Sequence, residues 1–395
     1  MIVDSDTFNI SPTADEILFH FGQGPTAEVE FEKSTWSNEL VRHVLEFKIN
    51  KPASRLDSLV PVFDEQIQIA NSWLNKHQRC LLPTGMHPWM NPQMETQLWP
   101  FEGHEIYEAF DRVFKCQGHG WSNLQSVHLN LPYGSEEEFV HLHAAIRLLI
   151  PIIPVLTASS PFQEGQFLGH LDQRLESYRT NSRRFQCITG QVVPEIFESW
   201  KDYHDKVFTP IATSLRPLDD DGIFEAEWVN ARGAIARLSR GSIEIRVIDT
   251  QECPLADLAI LQLVVDGLKF ILRTNQARMD KVVNYPQAFL VELFQRSIQG
   301  AKEPELIDPH YCELLGLRDN RKVTAHMFWQ KVFECSVEKT SIFHQPLMMI
   351  LDQGSLAKRI LSYTGKTPTK AKLLEMYQGL ANCLQSNTLL KQTSR

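Results

Sequence analysis

Apolar and polar residues alternate along three stretches of the chain, at 44–49, 126–131 and 241–249. Alternation of this kind indicates β-strands with one buried face, because successive side chains of a strand point to opposite sides. The polar positions of the three stretches are Glu46 and Lys48, His128 and Asn130, and Glu244 and Arg246. We therefore predict strands that carry a titratable group in mid-strand, each backed by an apolar face. A further strand is predicted at 27–32.

Helical spacing of apolar residues predicts helices at 58–78, at 135–149, from Pro254 onward and over most of 280–395. Ser135 and Glu138 form a capping box at the start of the second helix. The apolar run at 144–156 contains prolines and predicts a buried, kinked helix too short to cross a membrane. We expect an α+β fold in which helices cover the apolar face of an antiparallel sheet.

Composition narrows the expected partners and the compartment. The chain has 395 residues, a formal net charge of -9 and seven cysteines without metal-knuckle spacing. No Lys/Arg-rich run is present, so we expect no nucleic-acid partner and no membrane partner. An odd cysteine count argues against a complete disulfide framework and fits a reducing cytoplasm. We divide the chain into a catalytic domain at 1–280 and a helical region at 281–395 packed on it.

Glu39 and Glu46 lie seven residues apart around an apolar run, where a carboxylate needs compensation by a cation. A solvated strand face with a Glu46 and Lys48 pair is the simpler interpretation of that stretch alone. The recurrence of a polar face at His128 and Glu244 favours a site. Carboxylates with a histidine suit Mg²⁺ that carries a nucleotide triphosphate, and arginines would stabilise the transferring phosphoryl group.

Other motifs and residues bear on which reactions or ligands the chain could support. The chain contains no GxxxxGK[ST], GxGxxG, GxSxG or HExxH motif. His87 is either a site residue at a strand end or a turn histidine, and the turn is favoured. His141 and His143 fall on a helix, where residues two apart point in different directions, so we assign them to surface or packing. The arginines between 174 and 184 suit a carboxylate or a phosphate, with a solvated helix face as the alternative.

Five ordered motifs now carry a resemblance: TGMHPWM at 84–90, SVHLNLPY at 126–133, TASSPFQEG at 157–165, SYR at 177–179 and IEIRVID at 243–249. In this order they resemble the glutamate-cysteine ligase type 2 family, in particular its bacterial carboxylate-amine ligases of unassigned substrate. The resemblance implies a glutamine-synthetase-like fold, with a curved antiparallel sheet, helices on its outer face and the active site in its concave face. It also implies that ATP phosphorylates a glutamate-like carboxylate, which an amine then attacks to form an amide.

The resemblance implies a role for each matching residue. Glu39 and Glu46 match the acidic pair that binds metal, and His128 and Glu244 match further metal and nucleotide positions. Arg246 would face the phosphates, and Arg179 in the SYR motif would hold the acceptor carboxylate. The implied cofactors are ATP and Mg²⁺, and the implied partners are small-molecule substrates. A homodimer is also compatible with the sequence.

The chain departs from the family pattern at its start. Family members open with a strand of the form GxExE, and Met1 would lie just after that strand, so we expect either a true start upstream of Met1 or a shortened chain that lacks one wall of the metal site. The acidic run at 28–32 falls too late to replace it. Two other classes stay open: a ligase-like protein that binds ligands without turnover, and a metal-dependent amide hydrolase that needs no ATP.

Overall fold

The structure of the protein is a computed structural model that describes residues 1–300, 304–317 and 322–391. The helical region predicted for the end of the chain includes 301–303, 318–321 and 392–395, which lie outside the described residues.

The strands of the described chain pair antiparallel in three sheets, of order β1-β5, β2-β3-β4 and β6-β8-β7. Their bounds are β1 (Ile2–Asp4), β2 (Glu28–Glu30), β3 (Ser34–Asn38), β4 (Leu45–Ile49), β5 (Arg79–Leu81), β6 (Ser126–Pro132), β7 (Ala234–Arg237) and β8 (Ser242–Asp249).

Helices make up most of the remaining regular structure. The first ten are α1 (Ala14–Gly22), α2 (Val60–Leu74), α3 (Pro92–Glu95), α4 (His104–Phe114), α5 (His119–Ser122), α6 (Glu136–Leu149), α7 (Pro154–Thr157), α8 (Gln173–Asn181), α9 (Gln186–Thr189) and α10 (Trp200–Tyr203). Those that follow are α11 (Thr209–Leu215), α12 (Ala226–Val229), α13 (Pro254–Thr274), α14 (Met279–Val283), α15 (Gln287–Gln299), α16 (Pro309–Leu314), α17 (Ala325–Ser336), α18 (His344–Gln353), α19 (Leu356–Thr364) and α20 (Lys370–Ser386).

The core lies on the apolar face of β8. Ile243, Ile245 and Val247 are fully buried there, and α6 packs on β7 and β8 with α13 behind it. Helices from the C-terminal region share this core: the indole N–H of Trp329 in α17 donates to the carbonyl of Ile152 at 3.0 Å. The opposite face of β8 is thereby left for polar side chains.

The α+β class predicted from the sequence is confirmed, and the predicted strands at 44–49, 126–131 and 241–249 correspond to β4, β6 and β8. The Ser135 cap is also confirmed, because its hydroxyl accepts from the backbone N–H of Glu138 at 3.2 Å. The apolar run at 144–156 is buried and is interrupted after Leu149 by a 3-10 turn at Ile150–Ile152. Proline lacks an N–H and cannot continue the regular helix, which explains the interruption.

The structure differs from the prediction in the number of sheets and strands. Glu46 belongs to the sheet β2-β3-β4, whereas His128 and Glu244 belong to the sheet β6-β8-β7. β3 was not predicted, because its sequence STWSN has little apolar alternation. Among the helices that the structure describes, none combines the length and apolar character needed to span a bilayer.

Candidate active site

Glu244 lies at the centre of the polar face of the sheet β6-β8-β7. Arg237 of β7 binds it with both ends of its guanidinium: Nε donates to Oε2 at 3.0 Å and Nη2 to Oε1 at 3.2 Å. Both side chains are buried. The Nε of Arg246 lies 3.2 Å from Oε1 of Glu244, and the Nδ1 of His128 lies 3.9 Å from the same oxygen. One carboxylate therefore organises three basic side chains from all three strands.

A β-bulge brings Arg246 next to His128. The register between β6 and β8 shifts between Val127 and Leu129, so that Arg246 and Val247 together lie opposite the single residue His128. A bulge of this kind redirects side chains locally and is frequent beside active sites. Regular alternation alone would not have placed these two side chains at one point of the sheet.

The charges of this group are fixed by its surroundings. Burial alone would raise the pKa of Glu244, but Arg246, His128 and Arg237 lower it to about 2. The pKa of His128 falls to about 3, chiefly through burial and then through Arg246. Its side chain is nevertheless 30% exposed, so it lies in a recess that solvent reaches. His128 is therefore neutral at pH 7, with Nε2 at 2.9 Å from the hydroxyl of Ser126.

Glu39 and Glu46 meet at the hairpin between β3 and β4. Ser37 pairs with Glu46 in the register, and its hydroxyl donates to Oε2 of Glu46 at 2.7 Å. Glu39 follows the end of β3 by one residue and accepts from the backbone N–H of Leu40 at 3.3 Å. A spacing of seven thus brings the two carboxylates together because the chain turns back between them.

The acidic pair is incompletely neutralised. Burial, followed by the charge of Glu46, raises the pKa of Glu39 to about 7. Lys48 lies 4.0 Å from Glu46, but its ammonium binds Glu28 more closely. Burial and then Glu39 raise the pKa of Tyr107 to about 12. A site with this excess of negative charge favours a cation.

Arg246 connects the two groups of residues. Burial alone would lower its pKa, yet the pKa is raised by its neighbours. The neighbours that raise it are, in order of effect, Tyr178, Glu244, Glu39 and Glu46. The structure therefore brings together five of the six residues that the sequence predicted for the site, namely Glu39, Glu46, His128, Glu244 and Arg246.

Arg179, the sixth predicted residue, lies on α8 and pairs with Glu176 of the same helix. Its Nε and Nη2 each donate to a Glu176 oxygen at 2.7 Å. Its neighbour in the sequence, Tyr178, has the largest effect among the groups that raise the pKa of Arg246.

A buried network fixes α8 against the end of β8. Arg174 of α8 forms a hydrogen-bonded ion pair with Asp249, both fully buried. Asp249 also accepts from the hydroxyl of Ser160 at 2.7 Å and from the backbone N–H of Ser159 at 2.9 Å. A Cβ at Gly85 would lie 2.5 Å from the Cγ of Asp249. Three of the sequence motifs thus meet at one carboxylate.

His87 is a structural turn residue. Its Nδ1 accepts from the backbone N–H of Met90 at 2.9 Å, which leaves Nε2 to donate to the carbonyl of Phe8 at 2.8 Å. Burial lowers its pKa to about 3. The turn favoured from the sequence agrees with this geometry. His143 likewise packs in the core against Phe197 and Tyr203, as predicted.

Sequence reasoning missed Arg237 and Tyr178. Arg237 ends a stretch of only four residues, AIAR, which is too short to show the alternation typical of a strand. Gly241 is the residue that indicates this arrangement in the sequence. It has a φ of +60° in the short connection between β7 and β8. A hairpin predicted at this glycine pairs Arg237 with Ser242 and so brings Arg237 near Glu244. Tyr178 belongs to the SYR motif, in which the resemblance implies a role for Arg179 alone.

The carboxylates of this site are the type of ligand that Mg²⁺ prefers. Among the described residues, no group of three or more histidine, cysteine, aspartate or glutamate side chains is arranged to hold a metal ion. Mg²⁺, however, is commonly bound by one or two carboxylates together with water and substrate phosphates. Glu39 and Glu46 fit that requirement, because they are adjacent and lack a full cationic partner. Glu244 fits less directly, since Arg237 and Arg246 already neutralise it.

A cavity of about 450 Å³ lies next to Tyr107. Its lining residues are Thr26, Ala27, Glu28, Asn38, Glu102, Gly103, Ile106 and Tyr107. Asn38, which directly precedes Glu39, lines this cavity, and its amide donates to the hydroxyl of Tyr107 at 3.0 Å. Its charged residues are acidic, so it suits a cationic group better than an anionic one.

Comparison with known proteins gives one family. The model of glutamate-cysteine ligase family 2 (GCS2) matches residues 1–368. An uncharacterized protein of Archaeoglobus fulgidus is 30% identical over 385 residues, which are 98% of this chain and 96% of that protein. A protein of Rubrobacter xylanophilus named "Putative glutamate-cysteine ligase 2-3" is 25% identical over 260 residues, 64% of this chain and 62% of its own length. One of Streptomyces avermitilis, "Putative glutamate-cysteine ligase 2-1", is 33% identical over 124 residues, 31% of this chain and 30% of its own length.

Proposed function

The chain belongs to glutamate-cysteine ligase family 2, and from this premise we propose that it is an ATP- and Mg²⁺-dependent carboxylate-amine ligase. The proposed substrates are glutamate or a similar carboxylate, and an amine. A carboxylate oxygen attacks the γ-phosphorus of ATP and ADP leaves. The amine then attacks the acyl carbon, phosphate leaves with the carboxylate oxygen, and the amine loses a proton, which yields an amide.

The observation that carries this proposal is the position of Arg246 between two carboxylate groups. Glu244 lies 3.2 Å from the Nε of Arg246, and the charges of Glu39 and Glu46 raise the pKa of the same guanidinium. A guanidinium beside a cation-binding acidic pair is suited to triphosphate, because the metal and the arginine neutralise different oxygens of the same group.

Glu39 and Glu46 are the proposed Mg²⁺ ligands. Mg²⁺ bound there would supply positive charge to the phosphates. Ser37 orients Glu46 through the hydrogen bond of 2.7 Å, and Glu39, whose pKa is raised to about 7, must lose its proton before it binds the metal.

Glu244 and Arg237 are proposed to hold Arg246 in its place. The bidentate pair fixes the Glu244 carboxylate, and Arg246 approaches one of its oxygens. His128, neutral at pH 7, is proposed to contribute a ring nitrogen to the nucleotide or the metal in exchange for its present neighbour, the Ser126 hydroxyl. Direct ligation of metal by Glu244 stays a prediction, and it requires displacement of at least one of the two arginines.

Arg179 is proposed to bind the carboxylate of the acceptor acid. Its guanidinium is already in the bidentate geometry that a carboxylate requires, with Glu176 as the present partner. When the substrate carboxylate replaces Glu176, the positive charge of Arg179 stays neutralised.

We also propose that the sheets β2-β3-β4 and β6-β8-β7 form the two walls of one concave active site, as the glutamine-synthetase-like fold would require. The electrostatic effect of Glu39 and Glu46 on Arg246 supports this arrangement, because it links residues of both sheets.

The test is to incubate the purified protein with ATP, Mg²⁺, L-glutamate and a panel of amines that differ in charge. Phosphate release would be measured together with the mass of the product. An amide formed only with ATP supports the ligase. Amide hydrolysis without ATP would indicate a hydrolase, and ATP binding without turnover would indicate a binding protein. Retained turnover in both Glu46→Gln and Glu244→Gln would refute the site.

A further inference from the structure

The side chains of Arg246 and Tyr178 have unused hydrogen-bonding capacity at the centre of the site. The Nε of Arg246 is buried and donates no hydrogen bond within the described chain, although it lies only 3.2 Å from Glu244. The hydroxyl of Tyr178 is also buried and has no hydrogen-bond partner among the described residues. Buried polar groups are seldom left unpaired, and such groups at a functional site indicate a missing ligand.

The backbone places Tyr178 beside Arg246. Arg174 lies four residues before Tyr178 on α8, so the two side chains share one face of the helix, about one turn apart. On that face, Nη1 and Nη2 of Arg174 each lie 3.5 Å from the backbone carbonyl of Arg246. The buried ion pair of Arg174 with Asp249 fixes this arrangement. Tyr178 therefore lies about one helical turn from the point where Arg174 approaches the Arg246 backbone.

The electrostatics agree with this placement. Among the groups that raise the pKa of Arg246, Tyr178 has the largest effect. The guanidinium is 25% exposed, so it can reach a ligand from the cleft.

We propose that Tyr178 and Arg246 form a two-donor clamp for one phosphoryl oxyanion, the terminal phosphate of ATP, in which the Tyr178 hydroxyl and the Arg246 guanidinium donate to its oxygens. The clamp rests on the proposed function for the identity of the nucleotide. Phosphate is favoured over carboxylate because Glu39 and Glu46, the proposed metal ligands, act on the same arginine. The clamp adds Tyr178 to the binding residues of the site.

The experiment is calorimetric titration of the full chain with Mg²⁺-ATP and with Mg²⁺-ADP, for the wild-type protein and for Tyr178→Phe. A hydrogen bond to a charged group is strong enough that its loss should weaken ATP binding roughly tenfold or more. ADP binding should change little, because ADP lacks the terminal phosphate. Tyr285→Phe, a buried tyrosine of the C-terminal core, is the matched control and should bind both nucleotides as the wild type does.

Stability without ligand separates binding from structure. Removal of an unpaired buried hydroxyl should leave the melting temperature of Tyr178→Phe unchanged or higher. A lower melting temperature with an equal loss of ATP and ADP binding would overturn the clamp in favour of a structural role. A selective loss of glutamate binding would also overturn it.

The outcomes distinguish the clamp from the ligase. If amide synthesis is found and Tyr178→Phe binds ATP normally, the clamp fails while the ligase stands. If no amine is joined but Tyr178→Phe loses ATP selectively, the clamp stands and the ligase fails. Absence of ATP binding to the wild-type protein would overturn the clamp directly.

Discussion

Arg237 holds Glu244 by two hydrogen bonds, at 3.0 and 3.2 Å, with both side chains buried. The guanidinium of Arg237 also stacks on Trp228, with its Cζ 4.6 Å from the ring centroid. A buried pair of this kind contributes little net stability, but loss of one partner leaves the other charge unpaired. The pair therefore links the order of the site to the stability of the fold.

Arg237→Met should lower the free energy of unfolding by about 3 kcal/mol, because Glu244 would lose both hydrogen bonds of its bidentate partner. Urea denaturation measures this loss. The double variant Arg237→Met with Glu244→Leu should recover part of the stability, since the Glu244 carboxylate is removed together with its bidentate partner while Arg246 alone loses a carboxylate neighbour. It should remain without ATP turnover, because Arg246 would no longer be held. A double variant as unstable as the single one would contradict this account.

Glu39 should make the metal-free protein less stable as the pH rises. Its pKa is raised from 4.5 to about 7, so its contribution to stability is fully present below about pH 4.5 and is lost as the pH rises through 7. Glu39→Gln should therefore be more stable than the wild type at pH 8, by about 1 to 3 kcal/mol, and nearly equal to it at pH 4. Chemical denaturation in EDTA at the two pH values measures the difference.

The exposed Glu30 of β2 provides the control for that experiment, since Glu30→Gln removes one carboxylate on the surface and leaves Glu39 and Glu46 in place. Addition of Mg²⁺ at pH 8 should stabilise the wild type and have much less effect on Glu39→Gln. Equal stabilisation of both proteins by Mg²⁺ would exclude Glu39 as a ligand.

Sequence patterns located most of the polar face of the site but little of what holds it. Alternation in β6 and β8 identified His128 and Glu244, and the structure places these side chains 3.9 Å apart. Alternation is a local property, so it could reveal which residues face away from the core. It could not reveal the bulge opposite His128, which depends on pairing between strands distant in the sequence.

The partners of the charged residues depend on tertiary packing in the same way. Arg174 and Asp249 are 75 residues apart and meet only when α8 packs on β8. The hairpin of β3 and β4 that joins Glu39 to Glu46 was also missed, because β3 consists largely of polar residues. The family motifs supply long-range information that periodicity lacks, and His128, Arg179, Glu244 and Arg246 are the predicted site residues that lie within them.

Gly85→Ala should destabilise the protein strongly. The added Cβ would lie 2.5 Å from the Cγ of Asp249, which is buried and held by Arg174, so neither side can move without loss of the ion pair. Overpacking of a core typically costs about 1 to 3 kcal/mol, and the buried charge should place this variant at the upper end. Gly118→Ala is the matched control, because a Cβ there would meet no atom within 4 Å. Thermal denaturation of both variants compares them, and similar melting temperatures would show that the contact is unimportant.

Ser37→Ala should weaken Mg²⁺ binding without abolishing catalysis. The Ser37 hydroxyl donates to Glu46 at 2.7 Å and so orients a proposed ligand from outside the metal's own shell. Loss of such an orienting partner typically costs about 10- to 100-fold in metal affinity. We expect the Mg²⁺ concentration for half-maximal ATP turnover to rise by at least about tenfold while kcat at saturating Mg²⁺ changes little. Ser34→Ala is the matched control, since Ser34 is buried on the same strand and its hydroxyl has no partner among the described residues. An equal Mg²⁺ requirement in both serine variants would show that Glu46 does not bind the metal in the orientation that Ser37 imposes.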